Sequence, residues 1–178
     1  MQPTPKTVCM VKAFAYGAGF YEIAKTLQDH RVDYLAVAVA DEGEQLRKAG
    51  ITANILVMNP EMTAFKTLFD NHLEPEIYSF GLLDAMIHAC EHEGYVNYPV
   101  HIKIDTGMSR LGFAPNDMPH LIERLNRQKA VIPRSVFSHL AGSDSTDLDA
   151  FTHLQAARFQ QAADTLQAAF PHKILRHL

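Results

Sequence analysis

Short apolar runs and amphipathic stretches alternate along the whole chain. The spacing predicts strands over residues 8–11, 34–39, 55–58, 76–79, 100–105, 135–140 and 173–178. Between them it predicts helices over 21–28, 41–49, 61–70, 82–93, 118–128 and 148–170. The run Tyr34 to Val39 is rich in valine and alanine, as a strand buried on both faces of a parallel sheet should be. Asp41 is expected to cap the helix that follows, with Glu44 three residues on as its capping-box partner and Gly50 as the stop. Strand alternating with helix implies parallel βαβ units. A doubly wound open sheet and a (β/α)8 TIM-type barrel both fit. A barrel has eight strands and typically ~250 residues. This chain would be an incomplete one, with seven strands in 178 residues. The reading is one α/β domain over 1–178, cut at both ends, with unpaired strand edges that invite aggregation.

Composition narrows the function classes. An apolar content of 47% against 20% charged residues supports an ordinary globular core. The net charge of −4 comes without a basic stripe, so a nucleic-acid partner is not expected. The longest apolar run, Tyr34 to Ala40, is far below the ~20 residues of a membrane span, so no membrane association is expected. Met1 to Lys6 is polar and carries two prolines, unlike a secretory leader. Cys9 and Cys90 have no partners at metal-ligand spacing and read as reduced, buried thiols of a cytoplasmic protein. The ten histidines are scattered, with His88 and His92 the only pair one helical turn apart. Ala89 stands where an HExxH pair would carry its glutamate, and no metal is assigned. Gly17-Ala18-Gly19 is only GxG, with Glu22 where a dinucleotide fingerprint needs glycine.

Three segments carry candidate chemistry. In Val11-Lys12-Ala13-Phe14-Ala15-Tyr16-Gly17-Ala18-Gly19 a lysine closes an apolar strand. At the C-terminal mouth of a barrel, burial would disfavour its charged form, and a neutral amine can join an aldehyde cofactor. The glycines would let backbone approach an anion at the next helix start, with the Tyr16 hydroxyl nearby. In His101 to Phe113, alternation places His101, Lys103 and Asp105 on one strand face, and Arg110 follows in a glycine-containing loop. Lys103 beside Arg110 would repel unless Asp105, a bound anion or a chemical change to the lysine lay between them. The third segment, Phe137 to Asp144, puts His139 at a strand end before a polar loop.

Together these segments, in this order and at these separations, resemble the alanine racemases, which are fold-type III pyridoxal-phosphate enzymes. Val11 to Gly19 resembles their cofactor-lysine signature, His101 to Phe113 their second motif, and Ser138 to Asp144 a third. Asp41-Glu42-Gly43 also looks like the family. The resemblance implies the barrel, with pyridoxal 5'-phosphate as cofactor. It implies that Lys12 carries the cofactor and serves as one catalytic base. Tyr16 would bind the cofactor phosphate, and Arg110 would face the cofactor's phenolic oxygen and the substrate carboxylate. Lys103 matches a lysine that carries a carbamate in many relatives. His139 and His177 would support an arginine that pairs with the pyridine nitrogen. The implied reaction is interconversion of L- and D-alanine for peptidoglycan synthesis, by a homodimer. The carboxy-terminal β-domain and its opposite-face tyrosine base would lie outside this chain, leaving residues 1–178 with little activity alone. Phe14 and Ala18 depart from the usual asparagine and histidine of the first motif, and Met58-Asn59-Pro60 lacks the usual glycine. The Lys12-to-Tyr16 variant is similar to racemase halves fused to a Mur ligase. A non-catalytic pyridoxal-phosphate barrel and a racemase of another amino acid are the alternatives.

Overall fold

The computed structural model describes residues 5–178, so the reading of the extreme N-terminus lies partly outside the described residues. The chain divides into two compact units, one ending at Glu76 and the other spanning Ile77–Leu178.

The first unit opens with β1 (Val8–Met10), followed by a short helical segment α1 (Lys12–Tyr16) and then α2 (Phe20–Asp29). Next come β2 (Tyr34–Val37), α3 (Ala40–Lys48), β3 (Asn54–Val57), α4 (Phe65–Asp70) and β4 (Glu74–Ile77). β1, β2, β3 and β4 pair in chain order, all parallel. Parallel strands covered on both faces need apolar residues at consecutive positions, and all four residues of β2 are buried. The core includes Leu35, Val37, Leu46, Ile55, Val57, Leu68 and Leu73.

Two elements differ from the sequence expectation. β4 lies two residues earlier than expected because Glu74-Pro75-Glu76 masks a strand whose last three residues are buried. Ser79, expected to end that strand, instead caps the next helix by accepting from the Leu82 N–H (3.3 Å). α3 starts one residue before Asp41, and Val39 is its N-cap without a side-chain bond. The capping carboxylate is Glu42, which reaches back to the Ala38 N–H, while Glu44 pairs with Lys48 at 2.9 Å.

Arg47, near the end of α3, donates to four backbone carbonyls: Ile51, Ala53, Asn71 and His72. Burial pulls this guanidinium below its ordinary range, and Glu74 works in the opposite sense. Its role is to tie both loops that lead into β3 and β4.

The second unit contains α5 (Phe80–Glu93), β5 (Tyr98–Lys103), α6 (Met118–Asn126), β6 (Val131–Phe137), α7 (Asp149–Ala168) and β7 (Leu175–His177). β5, β6 and β7 are again parallel and paired in chain order. The β5–β6 register slips between Val100 and His101, where Arg134 is skipped after Pro133. A proline has no N–H for the ladder, and a bulge is the usual accommodation. Beyond the bulge His101 faces Ser135 and Lys103 faces Phe137. α7 buries Gln155, Phe159, Ala162, Ala163 and Leu166, a stripe at helical spacing.

Cys90 is buried and its thiol is pushed up to about 12, chiefly by burial, whereas Cys9 is only half-buried. Among the described residues no helix is long and apolar enough to cross a membrane.

Candidate active site

Lys12 does not close β1 directly; it follows Val11, whose N–H still donates to the Ala36 carbonyl. The chain then does something uncommon. Ala13, Phe14, Ala15 and Tyr16 all have φ between +51° and +56°, four consecutive non-glycine residues in the left-handed region. L-residues incur roughly 1–2 kcal/mol each in that conformation, so about 4–8 kcal/mol is held in this turn. Several contacts offset the strain. Ala15 N donates to Val11 O (3.0 Å), Gly17 N to Phe14 O (3.0 Å), and Ala15 is buried. One carboxylate, that of Glu42, accepts from Ala13 N (2.8 Å) with one oxygen and from Ala38 N (2.7 Å) with the other. Hydrogen bonds to a charged partner are worth about 1.5–3 kcal/mol each. Such strain, held in place by surrounding contacts, characterises sites where a side chain must be aimed.

Lys12 at the head of this turn is half-buried, and Tyr16 at its end is exposed. The helix start after Gly19 is a poor anion cradle. A Cβ at position 19 would lie 2.9 Å from a carboxylate oxygen of Glu22 in the first turn of α2. An anion approaching this helix start would have to displace the Glu22 carboxylate.

In the second unit, Lys103, Asp105, Arg110 and His139 line one small open pocket, together with Ile104, Met108, Leu111 and Ser138. It is a shallow depression open to solvent rather than an enclosed cavity. Arg110 is exposed and Lys103 is buried. Asp105, one of the groups expected to separate the two cations, lines the same depression. One Asp105 oxygen accepts from Gly107 N (2.9 Å) and Ser109 N (3.0 Å), which folds the loop. Part of the answer is aromatic: the Lys103 ammonium lies 4.8 Å from the centroid of the Phe137 ring.

Gly112 closes the loop that carries Arg110. Asp105 N donates to Phe113 O and Phe113 N to Lys103 O, both at 2.9 Å. The turn brings Gly112, at φ +127°, so close that a Cβ would lie 2.5 Å from Asp105 N.

His177 stacks on Phe137 with centroids 4.6 Å apart. Its Nε2 is 3.2 Å from Ser135 Oγ, which is 2.6 Å from His101 Nδ1. Burial, followed by His101 and Lys103, lowers the His177 imidazole to about 4. It is neutral at physiological pH.

The sequence reading missed the polar frame beneath the pocket. Gln155, fully buried on α7, donates to Thr106 Oγ1 (3.1 Å) and His139 O (3.1 Å) and accepts from Ala141 N (2.9 Å). Ser138 Oγ donates to Ile104 O (2.7 Å), so its single proton is used and Thr106 Oγ1 donates to it (2.8 Å). Arg158 adds a bond to Thr106 O (3.0 Å). The available sequence signal is a glutamine on the apolar stripe of α7. Glu42 stands out in the sequence only as part of a motif.

The structure thus gathers Lys103, Arg110 and His139 around one pocket, and sets His177 against the ring beneath Lys103. Lys12 and Tyr16 share the strained turn of the first unit.

Comparison with known proteins decides the family. The model of the alanine racemase N-terminal domain matches residues 1–178. The chain belongs to that family. The alanine racemase of Lawsonia intracellularis is 35% identical over 170 residues, covering 94% of this chain and 45% of that protein. Among solved structures, the alanine racemase of Clostridium difficile 630 matches with a TM-score of 0.90 and 34% identity, over 99% of this chain and 49% of that one. The alanine racemase of Bacillus anthracis, solved with bound L-Ala-P, matches with a TM-score of 0.83 and 26% identity over 97% of this chain and 44% of that one. This chain therefore spans about half the length of the relatives it matches. The expected fold class, an α/β chain of the incomplete (β/α)8 barrel type with seven strands, is borne out by these matches and by the strand count among the described residues.

Proposed function

We propose that this chain is the pyridoxal-phosphate-binding part of an enzyme that interconverts L- and D-alanine, and that Lys12 is its cofactor lysine. The observation that carries the reading is the mounting of Lys12 at the head of a four-residue left-handed turn anchored by Glu42. The donor set fits the cofactor in its chemistry. The first unit offers a primary amine and an exposed phenol on one turn, and the second offers, by itself, Lys103 and Arg110 lining an open depression at the ends of β5 and β6. When bound, pyridoxal phosphate would act as the electron sink that makes loss of the alanine Cα proton feasible. Lys12 Nζ would hold the cofactor and afterwards accept and return the Cα proton on one face. The Tyr16 hydroxyl would donate to the phosphate. The Arg110 guanidinium would orient an anionic oxygen, either the cofactor's phenolate or the substrate carboxylate. Lys103, as a carbamate, would turn a buried cation into an anion that could hold the Arg110 guanidinium in place. His139 and the neutral His177 would support the group facing the pyridine nitrogen. D-Alanine for peptidoglycan, a small-molecule substrate and a homodimeric whole protein complete the proposal.

The test is chemical fixation. The chain is incubated with pyridoxal phosphate, reduced with borohydride and mapped by peptide mass spectrometry. The expected result is a yellow chromophore fixed at Lys12 and lost in Lys12→Ala. An adduct spread over surface lysines, or retained in that variant, would overturn the reading.

A further inference from the structure

We propose that Glu42 is a positioning residue for Lys12. It replaces the ladder rung that β1 and β2 lose where β1 turns away, and so fixes the direction of the lysine side chain. The inference rests on Lys12 being the cofactor lysine.

β1 and β2 are parallel neighbours paired through Met10↔Ala36, and one further bond runs from Val11 N to Ala36 O. Beyond this point β1 curls into its left-handed turn. Just past the two strand ends, the N–H groups of Ala13 and Ala38 are both donors to be satisfied. Two donors cannot satisfy each other. A group that bridges them must accept twice, and an ionised carboxylate can offer each N–H its own oxygen with no donor to misplace. Glu42 supplies it from the first turn of α3, one oxygen to each N–H. The anchor is firm: Leu46 of α3 is fully buried, and Arg47 ties the helix end to four carbonyls.

The geometric consequence falls on Lys12. The Ala13 nitrogen is one end of the planar peptide whose carbonyl belongs to Lys12. Holding that N–H on Glu42 fixes the orientation of the peptide, and with it the ψ angle of Lys12 and the entry into the left-handed run. Glutamine is nearly the same shape, but in the same pose it sets an NH2 donor where one of the two carboxylate oxygens stands, so one of the two N–H groups meets a donor instead of an acceptor.

The experiment compares the wild-type chain with Glu42→Gln, Glu42→Asp and, as a stability control that leaves the bridge alone, Gln28→Ala. Gln28 bonds the Thr52 and Ala53 N–H groups elsewhere in the same unit. Two quantities are read: amide hydrogen exchange at Ala13 and Ala38, and the rate at which Lys12 captures pyridoxal phosphate, trapped by borohydride. Glu42→Gln should lose protection at Ala13 or Ala38 and slow capture by about tenfold or more, since small misplacements of a reacting group cost that much. Glu42→Asp, one methylene shorter, keeps the charge but loses the reach, and should also be slowed. It stands in if the glutamine variant does not fold. Gln28→Ala should lower the melting temperature with capture unchanged. Capture in Glu42→Gln equal to wild type, or slowed only as far as in an equally destabilised Gln28→Ala, overturns the positioning role. Retained exchange protection at both amides overturns it as well. Failure of the wild-type chain to form a Lys12 adduct overturns the cofactor-lysine reading instead, and the positioning role falls with it.

Discussion

Replacing Gly112 with alanine isolates the steric logic of the loop that carries Arg110. Two costs add. At φ +127° an alanine sits in backbone space that is essentially reserved for glycine, a penalty of about 1–3 kcal/mol. Its Cβ would also lie 2.5 Å from Asp105 N and 2.8 Å from the carbonyl carbon of Ile104. Both are backbone atoms of the strand end and cannot swing aside like a side chain. The loop must lift, and lifting it breaks the bonds Asp105 N to Phe113 O and Phe113 N to Lys103 O. Those bonds contribute about 1 kcal/mol each. The expected destabilisation is therefore about 3–5 kcal/mol. Gly94→Ala is the matched control, because Gly94 has φ +77° and a Cβ added there would meet nothing within 4 Å. It should cost only about 1 kcal/mol. Urea unfolding followed by circular dichroism measures both, the shift in midpoint at constant slope giving the difference. A Gly112→Ala variant within about 1 kcal/mol of Gly94→Ala would refute the claim that close backbone approach, rather than φ alone, requires glycine here.

His177 should make the chain acid-sensitive. Its folded value of about 4 lies below the ordinary 6.5, so between those values the unfolded chain binds more protons and stability falls as pH falls. The loss should approach about 3 kcal/mol by pH 4 and be much reduced in His177→Gln, as measured by urea midpoints across that window; equal slopes in the two proteins would contradict it. Because the Lys103 ammonium contributes to that depression, labelled bicarbonate that converts Lys103 to a carbamate should raise the His177 value, read by NMR titration. No change on carbamylation would rule out electrostatic contact between them. Arg47→Ala should destabilise the first unit by about 2–4 kcal/mol, because it strips a charged donor from four carbonyls. A midpoint shift corresponding to less than about 1 kcal/mol would show that water replaces the guanidinium without loss.

Much of the fold is legible in the order of residues. Apolar runs such as Tyr34 to Val37 and the stripe on α7 can be satisfied only as covered parallel strands and packed helices, so periodicity finds them. The failures are local and have causes. Glu74-Pro75-Glu76 looks polar because composition does not reveal burial, yet Pro75, Glu76 and Ile77 are buried in β4. Asp41 has the chemistry of a cap, but the helix begins at Ala40 and the capping acid is Glu42.

The candidate residues Lys12, Tyr16, Lys103, Arg110, His139 and His177 are visible in short segments, because reactive side chains keep their identity in any conformation. Their setting is not. The left-handed run Ala13–Tyr16 is composed of alanines and aromatics with no local preference for it, and one of the contacts that hold it comes from Glu42, twenty-nine residues away, through Ala13 N. The Phe137 ring beneath Lys103 comes from the neighbouring strand, and the Gln155 frame from the following helix. Sequence determines which groups are available and which stretches must be buried, since both depend on nearby residues. Which donor meets which acceptor depends on chain segments brought together only by packing, and that was decided in three dimensions.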